Sequence, residues 1–376
     1  MHLAFVDIVY DYTADRPDSG AALGGTTSAI CFLARELVKQ GVSCTFFNKI
    51  AKPGEAHSIP SLPLEALIDE RANPAYSAFI FCGRWVEWVA NHIREKTAAP
   101  LIGWMQESML VPPLVPALPV FDGVVFNSEW QKKINQPFVP AHWRQIVIRN
   151  AMNPIFAGLF PPGAPILAAK TTPPILLYAG VTPRGAFHLP PLLDALRQRR
   201  TDFSMEIYCD CTPSRDPKAN AEYVSWMRNL PNVTHVGMVG QSELAQRMKR
   251  AALLVSPNPW PETSCIALIE ALTSGLCAIT TNRAVLPETG EGFPQHIEIA
   301  DADNPMRFDM PMPYEAFAEA IDATMTRWLN QPEATEQALR AQIDHFLGCY
   351  QWPQRAKPWI EFIDSFQRNE IRVVRS

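Results

Sequence analysis

Pro257-Asn258-Pro259-Trp260-Pro261-Glu262-Thr263-Ser264-Cys265-Ile266-Ala267-Leu268-Ile269-Glu270-Ala271 holds two glutamates eight residues apart, one on each side of a helix start. Pro261 does not sit comfortably inside a helix, whereas Thr263 or Ser264 can cap one. Small and apolar residues then run to Leu272, and Gly275 is placed to stop the helix. The pattern puts Glu262 beside a helix N-terminus and Glu270 about two turns further along the same helix. A helix N-terminus offers unpaired N–H groups and the positive end of a dipole, which suits a phosphate. An ionised carboxylate makes strong hydrogen bonds to hydroxyls, which suits a sugar or a ribose. A ligand carrying phosphate, sugar and ribose finds a partner for each in this one segment.

The segment lies in a chain that alternates strand and helix. Leu253-Leu254-Val255-Ser256 reads as the strand before it and Cys277-Ala278-Ile279-Thr280 as the strand after it. Upstream, Ile175 to Gly180 and Met205 to Tyr208 read as strands, Leu189 to Arg197 as a helix, Val233 to Val236 as a strand and Gln241 to Arg250 as a helix. The first half has the same rhythm. Leu3 to Val6 is a strand, Thr26 to Gln40 a helix with Ile30, Leu33, Ala34, Leu37 and Val38 at helical spacing, and Val42 to Phe47 a strand. Further strands are expected at Ala78 to Phe81, Pro100 to Trp104, Gly123 to Phe126 and Gln145 to Ile148, with a helix opening at Asn127-Ser128-Glu129-Trp130. Such βαβ units imply parallel sheets with right-handed crossovers. Pro161-Pro162-Gly163-Ala164-Pro165 and Thr171-Thr172-Pro173-Pro174 bracket a stretch with little periodicity, and the domain boundary is placed there. The expectation is an α/β protein of two Rossmann-like domains facing a cleft, residues 1–165 and 166–354. Ligands of such sheets bind at the carboxyl ends of strands.

Composition narrows the classes. The chain of 376 residues is long enough for two cores, and 47% hydrophobic against 19% charged residues marks it as globular. A net charge of -5 gives no support to nucleic-acid binding. Eight cysteines form no C-x-x-C, and Cys209-Asp210-Cys211 is the one close pair, so neither a metal site nor a disulfide framework is indicated. Met1 to Asp7 lacks the basic start and apolar length of a secretory leader. Leu110 to Phe126 is the most apolar region but carries four prolines and an aspartate, so it is not read as a membrane span. A cytoplasmic location is expected, compatible with peripheral contact at the inner face of a membrane. No H-E-x-x-H, G-x-S-x-G or Walker lysine loop is present.

Glu262 followed by Glu270, after a strand ending Ser256-Pro257 and before Ile269-Glu270-Ala271-Leu272 and Gly275, resembles the E-x7-E signature of retaining glycosyltransferases of family GT4, which have the GT-B fold. The resemblance implies a nucleoside-diphosphate sugar as donor and a carbohydrate or lipid-linked acceptor. It implies no cofactor and no required metal, because an arginine and a helix N-terminus can supply the positive field. Glu262 and the N–H groups after it would hold the transferred sugar and phosphate, and Glu270 the ribose. Thr263-Ser264-Cys265 stands where the family often has Gly-Phe-Gly, so Ser264 can add a hydroxyl contact.

Other segments carry the likeness further. Gly180-Val181-Thr182-Pro183-Arg184-Gly185 ends a strand in a tight turn with a cation before a glycine. Arg184 can hold a diphosphate bidentately, and Arg184-Gly185 aligns with the family's Lys-Gly step, while Val181 stands near the place of a second family arginine. His188 lies close by. Gly24-Gly25-Thr26-Thr27 resembles the Gly-Gly loop that faces the donor phosphate and the acceptor. Asn150-Ala151-Met152-Asn153 resembles the family's Asn-Gly-Val-Asp segment, with Ala for Gly and Asn for Asp. Many relatives carry a His after a central N-terminal strand, where this chain has Gln106 and then Glu107, the residues expected to contact acceptor or sugar. An amide cannot act as a base near neutral pH. Acceptor choice is assigned to the loops Asp11 to Ala22 and Val111 to Ala117, and the last helix, about 355–376, would cross back to the N-terminal domain. The departures at Val181 and Gln106 keep a second reading open: a non-catalytic GT-B scaffold or a module that binds a sugar nucleotide without turnover.

Overall fold

In the computed structural model the chain divides into two compact units, Met1–Ala151 with Gln351–Ser376, and Met152–Tyr350. The structure describes residues 1–67, 76–108, 120–180, 184–210, 229–308 and 310–373, together with 218, 221, 224, 225 and 227, and side chains as far as 366. Val181, Thr182, Pro183, Cys211 and the loop Val111 to Ala117 lie outside the described residues.

The first unit runs β1 (His2–Asp7), α1 (Gly25–Lys39), β2 (Ser43–Asn48), β3 (Gly54–Ala56), β4 (Ile59–Pro63), β5 (Ala78–Cys82), α2 (Glu87–Lys96), β6 (Leu101–Trp104), β7 (Gly123–Phe126), α3 (Glu129–Asn135) and β8 (Arg144–Val147). Its eight strands are ordered β3-β4-β2-β1-β5-β6-β7-β8, parallel apart from the β3–β4 pair. Both faces of this sheet are covered, so its strands are apolar runs: β5, β6 and β7 are buried at every position. The start of α3 follows from its cap, because Ser128 Oγ accepts from the Gln131 amide at 3.1 Å.

The second unit opens with α4 (Pro154–Ala157) and continues β9 (Ile175–Ala179), α5 (Leu189–Arg197), β10 (Ser204–Tyr208), β11 (Val233–His235), α6 (Gln241–Arg250), β12 (Leu253–Ser256), α7 (Ile266–Thr273), β13 (Cys277–Thr281), α8 (Leu286–Gly290), β14 (Gln295–Ile297), α9 (Tyr314–Asn330) and α10 (Pro332–Cys349). Its six strands are all parallel, in the order β11-β10-β9-β12-β13-β14. Alternation of side chains splits each strand between two layers. Leu176 and Tyr178 of β9 join Leu189, Leu193, Phe317 and Ile321 on one face, while Ile175 and Leu177 join Met248, Leu268, Leu272 and Ile343 on the other.

The Pro-rich stretch belongs to this second unit. The Glu336 carboxylate of α10 accepts from the amides of Ile166 and Leu167 at 2.6 and 2.8 Å, and Lys170 Nζ donates to the Ser274 carbonyl at 3.0 Å. The division of the chain falls ahead of the prolines because these bonds stitch them to α10 and α7. A last helix, α11 (Trp352–Val373), packs in the first unit, where Trp352 stacks on Phe32 at 6.5 Å and Trp359 meets Trp104 edge-on at 5.1 Å. No helix among the described residues is long and apolar enough to cross a membrane.

Candidate functional site

In the second unit the sheet order reverses between β9 and β12: one chain direction runs β9-β10-β11 outward, the other β12-β13-β14. Loops leaving adjacent strands at such a switch point turn to opposite faces and leave a crevice at the carboxyl ends. Arg184 follows β9 and Glu262 follows β12, so the two side chains singled out in sequence flank that crevice. They meet. Arg184 Nη1 lies 3.2 Å from Glu262 Oε1 and 3.1 Å from Oε2. The Glu262 side chain is 11% exposed and that of Arg184 is 43% exposed. The carboxylate raises the arginine's pKa further above its ordinary value, so the guanidinium stays charged. Both bonds leave one nitrogen, and among the described residues no bond is seen from Nε or Nη2, which suit an anion as donors. The guanidinium carbon also lies 5.8 Å from the Trp260 ring centroid, and Trp260 packs against Phe308 at 5.0 Å.

Gly185 makes this approach feasible. Its φ is 138°, and a Cβ there would stand 3.0 Å from the Pro257 carbonyl oxygen, so a side chain would push the two loops apart. Gly180 extends the β9–β10 ladder, its amide donating to the Tyr208 carbonyl at 3.1 Å. The nearby ring of His188 is tied to Tyr314 Oη at 2.9 Å, and burial lowers its pKa.

The helix start differs from the expected one. Neither Thr263 nor Ser264 caps α7: the N-cap is Cys265, in the left-handed region at φ 52°, ψ 63°, with no side-chain cap bond. Thr263 and Ser264 lie in the loop, where the Ser264 carbonyl accepts from Thr289 Oγ1 at 2.9 Å. The left-handed turn at Cys265 lets the chain pass from the Pro-rich loop into the helix, and burial pushes its thiol pKa up. Glu270, one helix face further on, is 4% exposed. Burial pushes its carboxyl up to about 8, against the opposing effect of a bond from the Asn153 backbone N–H. Asn153 is fixed in turn as the cap of α4, its Oδ1 accepting from the Ile155 amide at 3.0 Å.

Sequence reasoning missed what holds Glu262. Asn258 Nδ2 donates to Glu262 Oε1 at 3.3 Å, and Asn258 Oδ1 accepts from the Trp260 amide at 2.8 Å. Thr281 Oγ1, at the end of β13, donates to the Asn258 carbonyl at 2.7 Å. Arg283 is fully buried and donates to the carbonyls of Pro259, Asp301, Ala302 and Arg307. Burial lowers its pKa to about 10, against the opposing effect of the Asp303 charge, and the four carbonyls accept its N–H groups. An arginine two residues past an apolar strand was the available signal, but its partners lie in other loops.

Four expected site residues belong to the first unit. Gly24 is the N-cap of α1 and Gly25 its first residue. Gln106 and Glu107 follow β6 in a loop held by buried amides. Asn127 Nδ2 donates to Gln106 Oε1 at 3.3 Å and to the Met105 carbonyl at 3.0 Å, and Gln131 Nε2 donates to the Glu107 carbonyl at 2.6 Å. Among the described residues no group of three or more His, Cys, Asp or Glu side chains is arranged to hold a metal ion.

Residues 165–293, which contain the crevice and both glutamates, match the family model Glycosyl transferases group 1. Over these residues the chain is similar to group 1 glycosyltransferases. Solved structures share the fold over nearly the whole length of this chain. A sucrose-phosphate synthase from Thermosynechococcus elongatus is 16% identical with a TM-score of 0.70, covering 98% of this chain and 99% of that one. A glycosyltransferase from Rickettsia africae gives 16% and 0.71 over 98% and 99% of the two chains. The Anabaena protein HepE, solved in complex with UDP and glucose, gives 13% and 0.67 over 96% and 99%. The two units thus have the GT-B fold of these glycosyltransferases. No curated protein sequence matches the chain.

Proposed function

We propose that this protein is a retaining glycosyltransferase that moves a sugar from a nucleoside-diphosphate sugar to an acceptor hydroxyl. The observation that carries the reading is the Arg184–Glu262 pair across the β9/β12 switch point, beside the start of α7. In this reading the bond from the donor's anomeric carbon to the phosphate oxygen breaks, and its electron pair goes to the departing diphosphate. The acceptor oxygen bonds to the anomeric carbon on the same face, and its proton passes to that phosphate. Arg184 stabilises the charge that builds on the diphosphate, a fixed cation acting where charge develops. Glu262 holds hydroxyls of the transferred sugar and Glu270 the ribose. The Anabaena neighbour is also solved with UDP-glucose, which supports a sugar nucleotide as the ligand class here.

Gln106 in the place of the family histidine, with Val181 near that of an arginine, motivates a second reading, binding without turnover. A thermal-shift screen with UDP-, GDP-, ADP- and TDP-sugars identifies the donor, because a ligand at a hundred times its Kd stabilises by about 2.7 kcal/mol. Glu262→Ala is then expected to abolish transfer. It leaves the Asn258 amide without its acceptor, worth about 1–3 kcal/mol, which keeps the melting temperature within a few degrees for a chain this long. Transfer by the variant at the wild-type rate removes the reading, and binding without donor cleavage by the wild type establishes the second one.

A further inference from the structure

We infer that Asn258 is a positioning residue for Glu262, and that its side-chain N–H is what the transfer reaction requires. The inference rests on the reading of Glu262 as the group that holds the transferred sugar. Asn258 is 3% exposed and every polar group it has is engaged. Its amide donates to the Ser256 carbonyl at 2.9 Å, and its carbonyl accepts from Thr281 Oγ1 at 2.7 Å. The Trp260 N–H needs an acceptor, which fixes the side chain with Oδ1 on that amide at 2.8 Å. Nδ2 is thereby aimed at Glu262 Oε1, 3.3 Å away.

Three of these four bonds shape the loop, and only the fourth reaches a residue with assigned chemistry. Arg184 also grips Glu262, but the same guanidinium is assigned to the diphosphate, so its hold on the carboxylate changes when the donor binds. Asn258 does not face that competition. It sits on the loop itself, and Arg283 anchors the next residue through the Pro259 carbonyl at 3.0 Å. Holding Oε1 from within the loop fixes the plane of the carboxylate, whose Oε2 accepts from Arg184 Nη1 at 3.1 Å. Among the described residues the charged and titratable groups around the pair are Arg184 after β9, Cys265 at the head of α7, Glu270 within it, Tyr178 on β9 and Arg283 after β13.

Asn258→Asp separates loop-building from positioning. It keeps the acceptor for the Trp260 amide and both backbone bonds, and it replaces the donor facing Glu262 with a second carboxylate oxygen. Two carboxylates at this separation share a proton at low pH, and the introduced carboxyl then donates as the amide did. Release of nucleoside diphosphate is measured from UDP-, GDP-, ADP- and TDP-glucose, beside binding of the four bare diphosphates. At about pH 8 the variant should turn over roughly ten- to a hundredfold more slowly than wild type, the scale of a misplaced reacting group. The deficit should shrink severalfold by about pH 5.5 as the shared proton binds. The melting temperature stays within a few degrees, and Asn258→Ala loses turnover at both pH values with no recovery. Turnover by Asn258→Asp within about twofold of wild type at about pH 8, or a pH profile parallel to wild type, overturns the inference, because an oriented carboxylate is worth far more than that. A wild-type protein that binds none of the four diphosphates overturns the underlying reading, and the inference with it.

Discussion

The helix starts of α1 and α7 look alike in sequence, each a loop of small or turn-forming residues running into an apolar helix, and they differ in what gathers around them. At α1 the cap is Gly24 at φ -74°, ψ 152°, with no side-chain cap bond, and a Cβ added there would meet nothing within 4 Å. At α7 the cap is Cys265 in the left-handed region, and Glu262, three residues before it, is hydrogen-bonded to both Arg184 and Asn258. Every helix N-terminus offers N–H groups and a dipole. The chemistry of a site comes from the side chains that tertiary structure adds, and α7 has received them.

The largest expected effect tests how far α7 is adapted to a purpose other than stability. Glu270 has a folded pKa of about 8 against an ordinary 4.5, raised by burial. The folded protein therefore holds a proton that the unfolded chain releases. Stability from this group is intact below pH 4.5 and is lost as pH rises toward 8. The slope is about 1.4 kcal/mol per pH unit for one proton. Glu270→Gln has no such proton to lose. Its stability in denaturant titration should match wild type near pH 4.5 and exceed it progressively up to about pH 8, by a few kcal/mol at the top of that range. Curves that stay parallel across the range show that Glu270 is not a buried, protonated acid.

A smaller effect tests the cation. Arg184→Ala should weaken binding of the bare nucleoside diphosphate by about 1.5–3 kcal/mol, the range for a hydrogen bond to a charged group. Isothermal titration reads this directly, and an unaltered affinity would move the phosphate away from the β9 loop. Arg184 was legible in sequence because a cation before a glycine, after a strand, has a local signature. The central strands and the helices α1, α5 and α6 were legible for the same reason, since periodicity and glycine stops are local, whereas α2, α9 and α10 were not read. Cys265 as the cap was not, because a left-handed non-glycine residue is fixed by the packing of the Pro-rich loop rather than by its own preference. Asn258, Thr281 and Arg283 were not either: each acts through bonds to residues on another loop, and Arg283 bonds as far along the chain as Arg307. The short strands β3 and β14, three residues each, were not read.

The smallest effect addresses α1. Gly24→Ser supplies the cap oxygen that the glycine lacks, and the open space at this position admits the side chain. Serine in place of glycine at an N-cap is worth a few tenths of a kcal/mol. If donor affinity resides in the second unit, the variant melts at or slightly above the wild-type temperature and binds the bare diphosphate within about twofold, a change of about 0.4 kcal/mol. A tenfold loss, about 1.4 kcal/mol, would mean that the backbone at Gly24 approaches the phosphate closely enough to exclude a hydroxymethyl group. The bare helix start of α1 would then be a binding element whose one partner is the ligand, and the contrast with α7 would be between a site completed by substrate and a site completed by side chains.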